Sequence, residues 1–116
     1  RSAAYYDQGF ANIAQVHVPD RDPAVKNVFL LYILHVEARD ELVQYCIDQG
    51  IEAKVHYPIP LYQQAALAHL GHKPGDFPVT DRHARETISF PVDGYLSQAE
   101  QDHVINTVRR FYEESR

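Results

Sequence analysis

Val28-Phe29-Leu30-Leu31-Tyr32-Ile33-Leu34-His35-Val36 is the most apolar run of the chain. It is rich in β-branched and aromatic side chains and nearly continuous in apolar character, which predicts a central strand covered on both faces or nearly so. The run contains Tyr32 and His35 and is far shorter than the ~18 apolar residues needed to span a membrane. On both sides of it the periodicity changes, and those changes set the fold class.

Upstream, Ile13 to Val18 alternates and predicts a short edge strand ended by Pro19. Residues 1–11 read as a helix. Downstream, Glu37 to Gln49 predicts a helix with Asp40 and Glu41 in its first turn and a stripe of Leu42, Val43, Cys46 and Ile47, stopped by Gly50. Ile51 to Tyr57 alternates as a further strand, cut off by Pro58 and Pro60. A long connection over 58–76 holds a short helix, Gln63 to Leu70. Thr80 is placed to cap a helix running to about Thr87, Ile88 to Phe90 reads as a last strand, and Ser97-Gln98-Ala99-Glu100 is a capping box opening a helix to Glu113. This order predicts an α+β two-layer sandwich, a small and mostly antiparallel sheet with helices on one face.

The chain has 116 residues, 45% of them hydrophobic and 23% charged, which suits one domain with one core. Eleven Lys and Arg against sixteen Asp and Glu give a net charge of −5, which argues against a nucleic-acid backbone binder. The Arg109-Arg110 pair falls near a helix C-terminus, where the macrodipole favours cations. Neither a membrane segment nor a signal peptide is legible. One cysteine excludes an intrachain disulfide and agrees with a reducing, cytoplasmic setting. The chain lacks methionine and starts at Arg1 in a helical pattern without a cap, the profile expected of a piece of something longer.

Chemistry concentrates at Val55-His56-Tyr57-Pro58-Ile59-Pro60. A strand that delivers a histidine and a tyrosine and then breaks at two prolines holds its end rigidly. His56 can donate or accept near neutral pH, and Tyr57 adds a flat face and a hydroxyl. The plainer alternative is that one packs into the core while the other bonds locally. Lys54 falls on the same face as His56, within reach of an anionic ligand, although solvent exposure is the ordinary fate of such a lysine. The seven histidines lack metal-ligand spacing, Cys46 belongs to an apolar stripe, and no glycine-rich phosphate loop or serine elbow occurs.

Arg39-Asp40-Glu41-Leu42, Gln49-Gly50-Ile51-Glu52, His56-Tyr57-Pro58-Ile59-Pro60-Leu61, Gln63-Gln64-Ala65, His69-Leu70-Gly71, Lys73-Pro74-Gly75-Asp76-Phe77-Pro78-Val79-Thr80, Ser89-Phe90-Pro91 and Leu96-Ser97-Gln98-Ala99-Glu100-Gln101 stand in this order and spacing. Together they resemble the DegT/DnrJ/StrS family of sugar aminotransferases over essentially the whole chain. The resemblance implies pyridoxal-phosphate enzymes that pass an amino group, typically from glutamate, to a nucleotide-linked keto-sugar, usually as homodimers. It covers only their C-terminal small domain: residues 1–12 as the end of a connecting helix and 13–116 as the domain. The Schiff-base lysine would then lie in the absent N-terminal large domain, leaving this chain with no catalytic residue, no bound cofactor and no activity of its own. By the resemblance His56, then Tyr57, with Lys54 beside them, are the substrate-binding candidates. Tyr62 departs from the histidine often found there. The alternative is a free-standing α+β module that binds a ligand without chemistry.

Overall fold

A computed structural model describes residues 2–93 and 95–114. Its elements are α1 (Ser2–Phe10), β1 (Val16–His17), β2 (Tyr32–Val36), α2 (Arg39–Asp48), α3 (Pro78–Glu86), β3 (Thr87–Phe90) and α4 (Gln98–Glu114), with two 3₁₀ segments, Leu61–Gln63 and Ala65–Leu70, between α2 and α3. The strands form one antiparallel sheet in the order β1-β2-β3, so the apolar run does supply the central strand.

Strand alternation divides the sheet into two faces. Tyr32, Leu34 and Val36 are buried on the inner face, beside Val16, Ile88 and Phe90. Tyr6 and Phe10 of α1, Leu42 and Cys46 of α2, and Val104 and Val108 of α4 complete that core. The rings of Tyr6 and Tyr32 lie 4.8 Å apart, and those of Phe10 and Phe90 lie 5.8 Å apart. Buried tyrosines need a partner for the hydroxyl. Tyr6 donates to the Pro91 carbonyl at 2.7 Å, Tyr32 to Asp7 at 2.7 Å, and Tyr112 to the Glu37 carbonyl at 2.6 Å. This is the α+β two-layer arrangement that the sequence predicts.

Several element boundaries differ from expectation, each for a physical reason. The central strand starts at Tyr32 rather than Val28 because Phe29 takes φ 51°, outside the extended region. The Arg21 guanidinium lies 5.0 Å from the Phe29 ring centroid and pairs with Asp7 at 3.1 Å, fixing that bend. Val28 and Leu30 consequently stand 88% exposed. The edge strand is only Val16–His17, since the amides of Ile13 and Val16 close turns onto Phe10 and Ile13.

The expected strand over 51–57 reduces to one bridge, Lys54 to Ser89. Ile51 N–H is already donated to the Cys46 carbonyl, Ala53 N–H turns back onto Ile51, and Pro58 and Pro60 have no amide to offer. Gly50, at φ 82°, makes the left-handed exit from α2.

The helix expected over 37–49 is Arg39–Asp48, anchored where the buried Arg39 donates to the Thr87 carbonyl at 3.0 Å. The short helix expected at Gln63–Leu70 is the 3₁₀ pair. Thr80 is not a cap: α3 begins at Pro78, whose missing amide and fixed φ suit a first turn. The capping box at α4 forms in both directions, Ser97 N–H to Glu100 and Glu100 N–H to Ser97 Oγ, each 3.1 Å.

Helix α1 touches α4 where Gly9 lies against buried Ile105. A methyl group at Gly9 would stand 2.3 Å from Ile105 Cδ1 and 2.9 Å from Cγ1. Gly9→Ala is therefore expected to destabilise the chain by about 1–3 kcal/mol in urea titration, against the usual helix-stabilising sense of that change.

On the outer face His35 meets His83 of α3 with ring centroids 4.5 Å apart. Burial, then the neighbouring His83, lowers the His35 pKa, while Glu86 opposes and Arg82 and His17 add to the lowering. The unfolded chain therefore takes up this proton first. The contribution is intact above the ordinary histidine value of about 6.5 and lost as pH falls below it. Denaturation midpoints measured from pH 7.5 downward should fall less steeply for His35→Gln than for the parent chain.

Candidate functional site

The 51–57 segment is extended enough to alternate. Ile51 and Ala53 are buried, while Glu52, Lys54 and His56 share the opposite side. Lys54 is pinned to β3 by a reciprocal pair: its amide donates to the Ser89 carbonyl at 3.1 Å, and the Ser89 amide donates to the Lys54 carbonyl at 2.8 Å. Two residues further on, His56 Nδ1 lies 2.9 Å from Ser89 Oγ. Beside this contact is an open pocket of about 220 Å³, lined by Leu30, Leu31, Glu52, Lys54, His56 and Ser89 among others.

Of the candidates read from sequence, Lys54 and His56 share this pocket. Tyr57 does not line it; its ring is 74% exposed and meets His56 edge-on at 5.7 Å. The Lys54 ammonium is 57% exposed and bonds Glu52 at 2.8 Å, holding the Glu52 carboxyl below the usual carboxylate range. An exposed pair of this kind contributes little and exchanges readily for another anion. Ser89 was not among the expected site residues. Its signal was a hydroxyl between Ile88 and Phe90 in a strand buried at every position, where a polar side chain needs a bonding partner.

The connection over 58–77 is ordered from α3. Asp81 accepts from the Tyr62 hydroxyl at 2.5 Å, from the Gly75 amide at 2.8 Å and from Gln63 at 3.3 Å, and the Tyr62 bond above all holds its carboxyl below the ordinary range. The Tyr62 ring packs on Phe77 at 4.7 Å, which in turn meets His72 at 5.0 Å.

Burial pushes the Cys46 thiol up to about 12, so it stays protonated and is no nucleophile at neutral pH. No group of three or more metal-ligating side chains occurs among the described residues, and no described helix is long and apolar enough to cross a membrane.

The profile of the DegT/DnrJ/EryC1/StrS aminotransferase family matches residues 1–109. The chain belongs to this family. It is 34% identical over 107 residues to the erythromycin biosynthesis sensory transduction protein EryC1 of Saccharopolyspora erythraea, covering 92% of this chain and 29% of that one. It is 31% identical over 111 residues to a dTDP-3-amino-3,4,6-trideoxy-alpha-D-glucose transaminase of Streptomyces venezuelae, covering 96% of this chain and 29% of that one. The crystal structure of S. venezuelae DesV in complex with a ketimine intermediate superposes with a TM-score of 0.91 at 30% identity, over 97% of this chain and 30% of that one. The chain thus spans under a third of the length of these relatives.

Aminotransferases of this family work with pyridoxal phosphate. Lys26 and Lys73 are exposed, and Lys54, the lysine at the pocket, is paired with Glu52 in solvent. The pocket is lined by Glu52 as its one carboxylate, and it pairs with Lys54.

The Asp81 contacts predict a local effect. Asp81→Ala should abolish hydrogen-exchange protection at Gly75 and speed proteolysis within 58–77, while the thermal midpoint of the sheet and α4 stays within about 2 °C, because the broken bonds are exposed.

Proposed function

We propose that this chain is the C-terminal small domain of a pyridoxal-phosphate-dependent aminotransferase that moves an amino group from glutamate to a nucleotide-linked keto-sugar. Residues 1–12 finish a connecting helix and 13–116 make the domain. The rest of the polypeptide, an N-terminal large domain, holds the cofactor, and the complete enzyme works as a cytoplasmic homodimer. Alone, the chain is catalytically inert.

The observation that supports this best is a half-buried imidazole set in an apolar rim. Leu30, 88% exposed, and Leu31, 38% exposed, line a pocket whose polar groups are Glu52, Lys54, His56 and Ser89. Exposed apolar side chains gathered round a polar recess suit a face that another body covers. Within a covered cleft His56 hydrogen-bonds a sugar hydroxyl, Tyr57 offers a flat surface to the sugar ring, and Lys54 exchanges Glu52 for an anionic group of the nucleotide. Closure of the rim excludes water from the reacting end of the substrate.

Two measurements test the reading. In the complete enzyme His56→Ala should raise the sugar KM or lower kcat about tenfold while cofactor content, read from its absorbance, is kept; unchanged kinetic constants would retire the role of His56. Titrated with pyridoxal phosphate, the 116-residue chain should show only the weak, non-saturating absorbance of surface lysines. A saturable Schiff base on Lys54 would refute the assignment of inertness.

A further inference from the structure

Ser89 sits at the centre of β3, 5% exposed, with its amide and carbonyl both committed to Lys54. Its backbone therefore cannot move without breaking the bridge. Ile33 lies opposite on β2 and Lys54 opposite on the other side, so the Ser89 side chain emerges on the outer face between two paired neighbours. The hydroxyl meets His56 Nδ1 at 2.9 Å, and no described residue bonds the other ring nitrogen, Nε2. His56 itself follows no ladder: the segment leaves the sheet after Lys54 and runs into Pro58.

We propose that Ser89 is the positioning residue of the substrate pocket, holding His56 through Nδ1 so that Nε2 is the atom presented to a sugar hydroxyl. The proposal rests on the reading of His56 as a substrate-binding group. Fixing one ring nitrogen settles the ring plane and which nitrogen faces the pocket, the device by which a histidine becomes directional. A serine can either donate to Nδ1 or accept from it, so the contact persists whichever tautomer the substrate requires.

The test is a double-mutant cycle in the complete enzyme, with an imidazole ¹⁵N spectrum of this chain beside it. Ser89→Ala should raise the sugar KM about three- to tenfold with kcat less affected, the loss of one hydrogen bond. It should add nothing further in the His56→Ala background, and Ser89→Thr should restore most of the effect. In the spectrum, the His56 Nδ1 resonance should be alike in the parent chain and in Ser89→Thr, and should shift in Ser89→Ala as its hydrogen bond is lost. An equal Ser89→Ala penalty with and without His56 overturns the proposal, as does an Nδ1 resonance indifferent to Ser89. Should His56→Ala leave kinetics intact while the Nδ1 resonance still follows Ser89, the contact stands and the substrate role of His56 fails. Should His56→Ala impair catalysis while Ser89→Ala does not, the substrate role stands and the positioning fails.

Discussion

The two-residue period of β2 and β3 is the constraint on which everything else hangs. Tyr32, Leu34 and Val36 must face α1, α2 and α4, and Ile88 and Phe90 must do the same from the next strand. A slip of one residue in either strand would turn Tyr32 or Ile88 to the outer face and bring His35 or Ser89 into the apolar core in their place, so the register has no near-degenerate alternative. Burial of the inner face thereby dictates the outer one. Ser89 lies on that face because Ile88 and Phe90 do not, and Ser89 is what the 51–57 segment holds on to through Lys54 and His56.

How far the sequence could be read follows from which signals are local. The capping box of α4, the Gly50 exit from α2 and the apolar centre of β2 are each decided within a few residues, and each appears where the pattern places it. The 51–57 segment has the alternation of a strand yet pairs at one position, because pairing also needs free amides. Two of those are spent on Cys46 and Ile51, and two prolines have none. Likewise the bend at Phe29 depends on Arg21 and Asp7, one distant in sequence, and no window around Val28 reveals it.

The candidate site shows the same division. His56 and Lys54 were legible as residue types at a rigid chain end, since the two prolines advertise that rigidity. Tyr57 shared that signal, but the structure leaves it outside the pocket that the other two line. Ser89 could not be assigned a site role from its own strand, because its partner lies 33 residues away and is brought there by packing. A buried hydroxyl between apolar neighbours announces that a partner exists without naming it.

The chain also separates two tasks that an aminotransferase needs. Holding a reactive amine demands a lysine removed from water and neighbours that tune it, whereas all three lysines here remain at the surface. Orienting a hydroxylated substrate, the role proposed for this chain, demands only fixed donors and acceptors on a rigid frame, and the Lys54–Ser89–His56 arrangement is of that kind. Most of the core of that frame lies on the other side of the sheet, and Phe90 is the core residue that also lines the pocket. On the proposed reading, substitutions at Glu52, Lys54 or His56 alter what is recognised while leaving the buried face that folds the chain untouched. That independence is a property of the sheet, whose two sides answer to different demands.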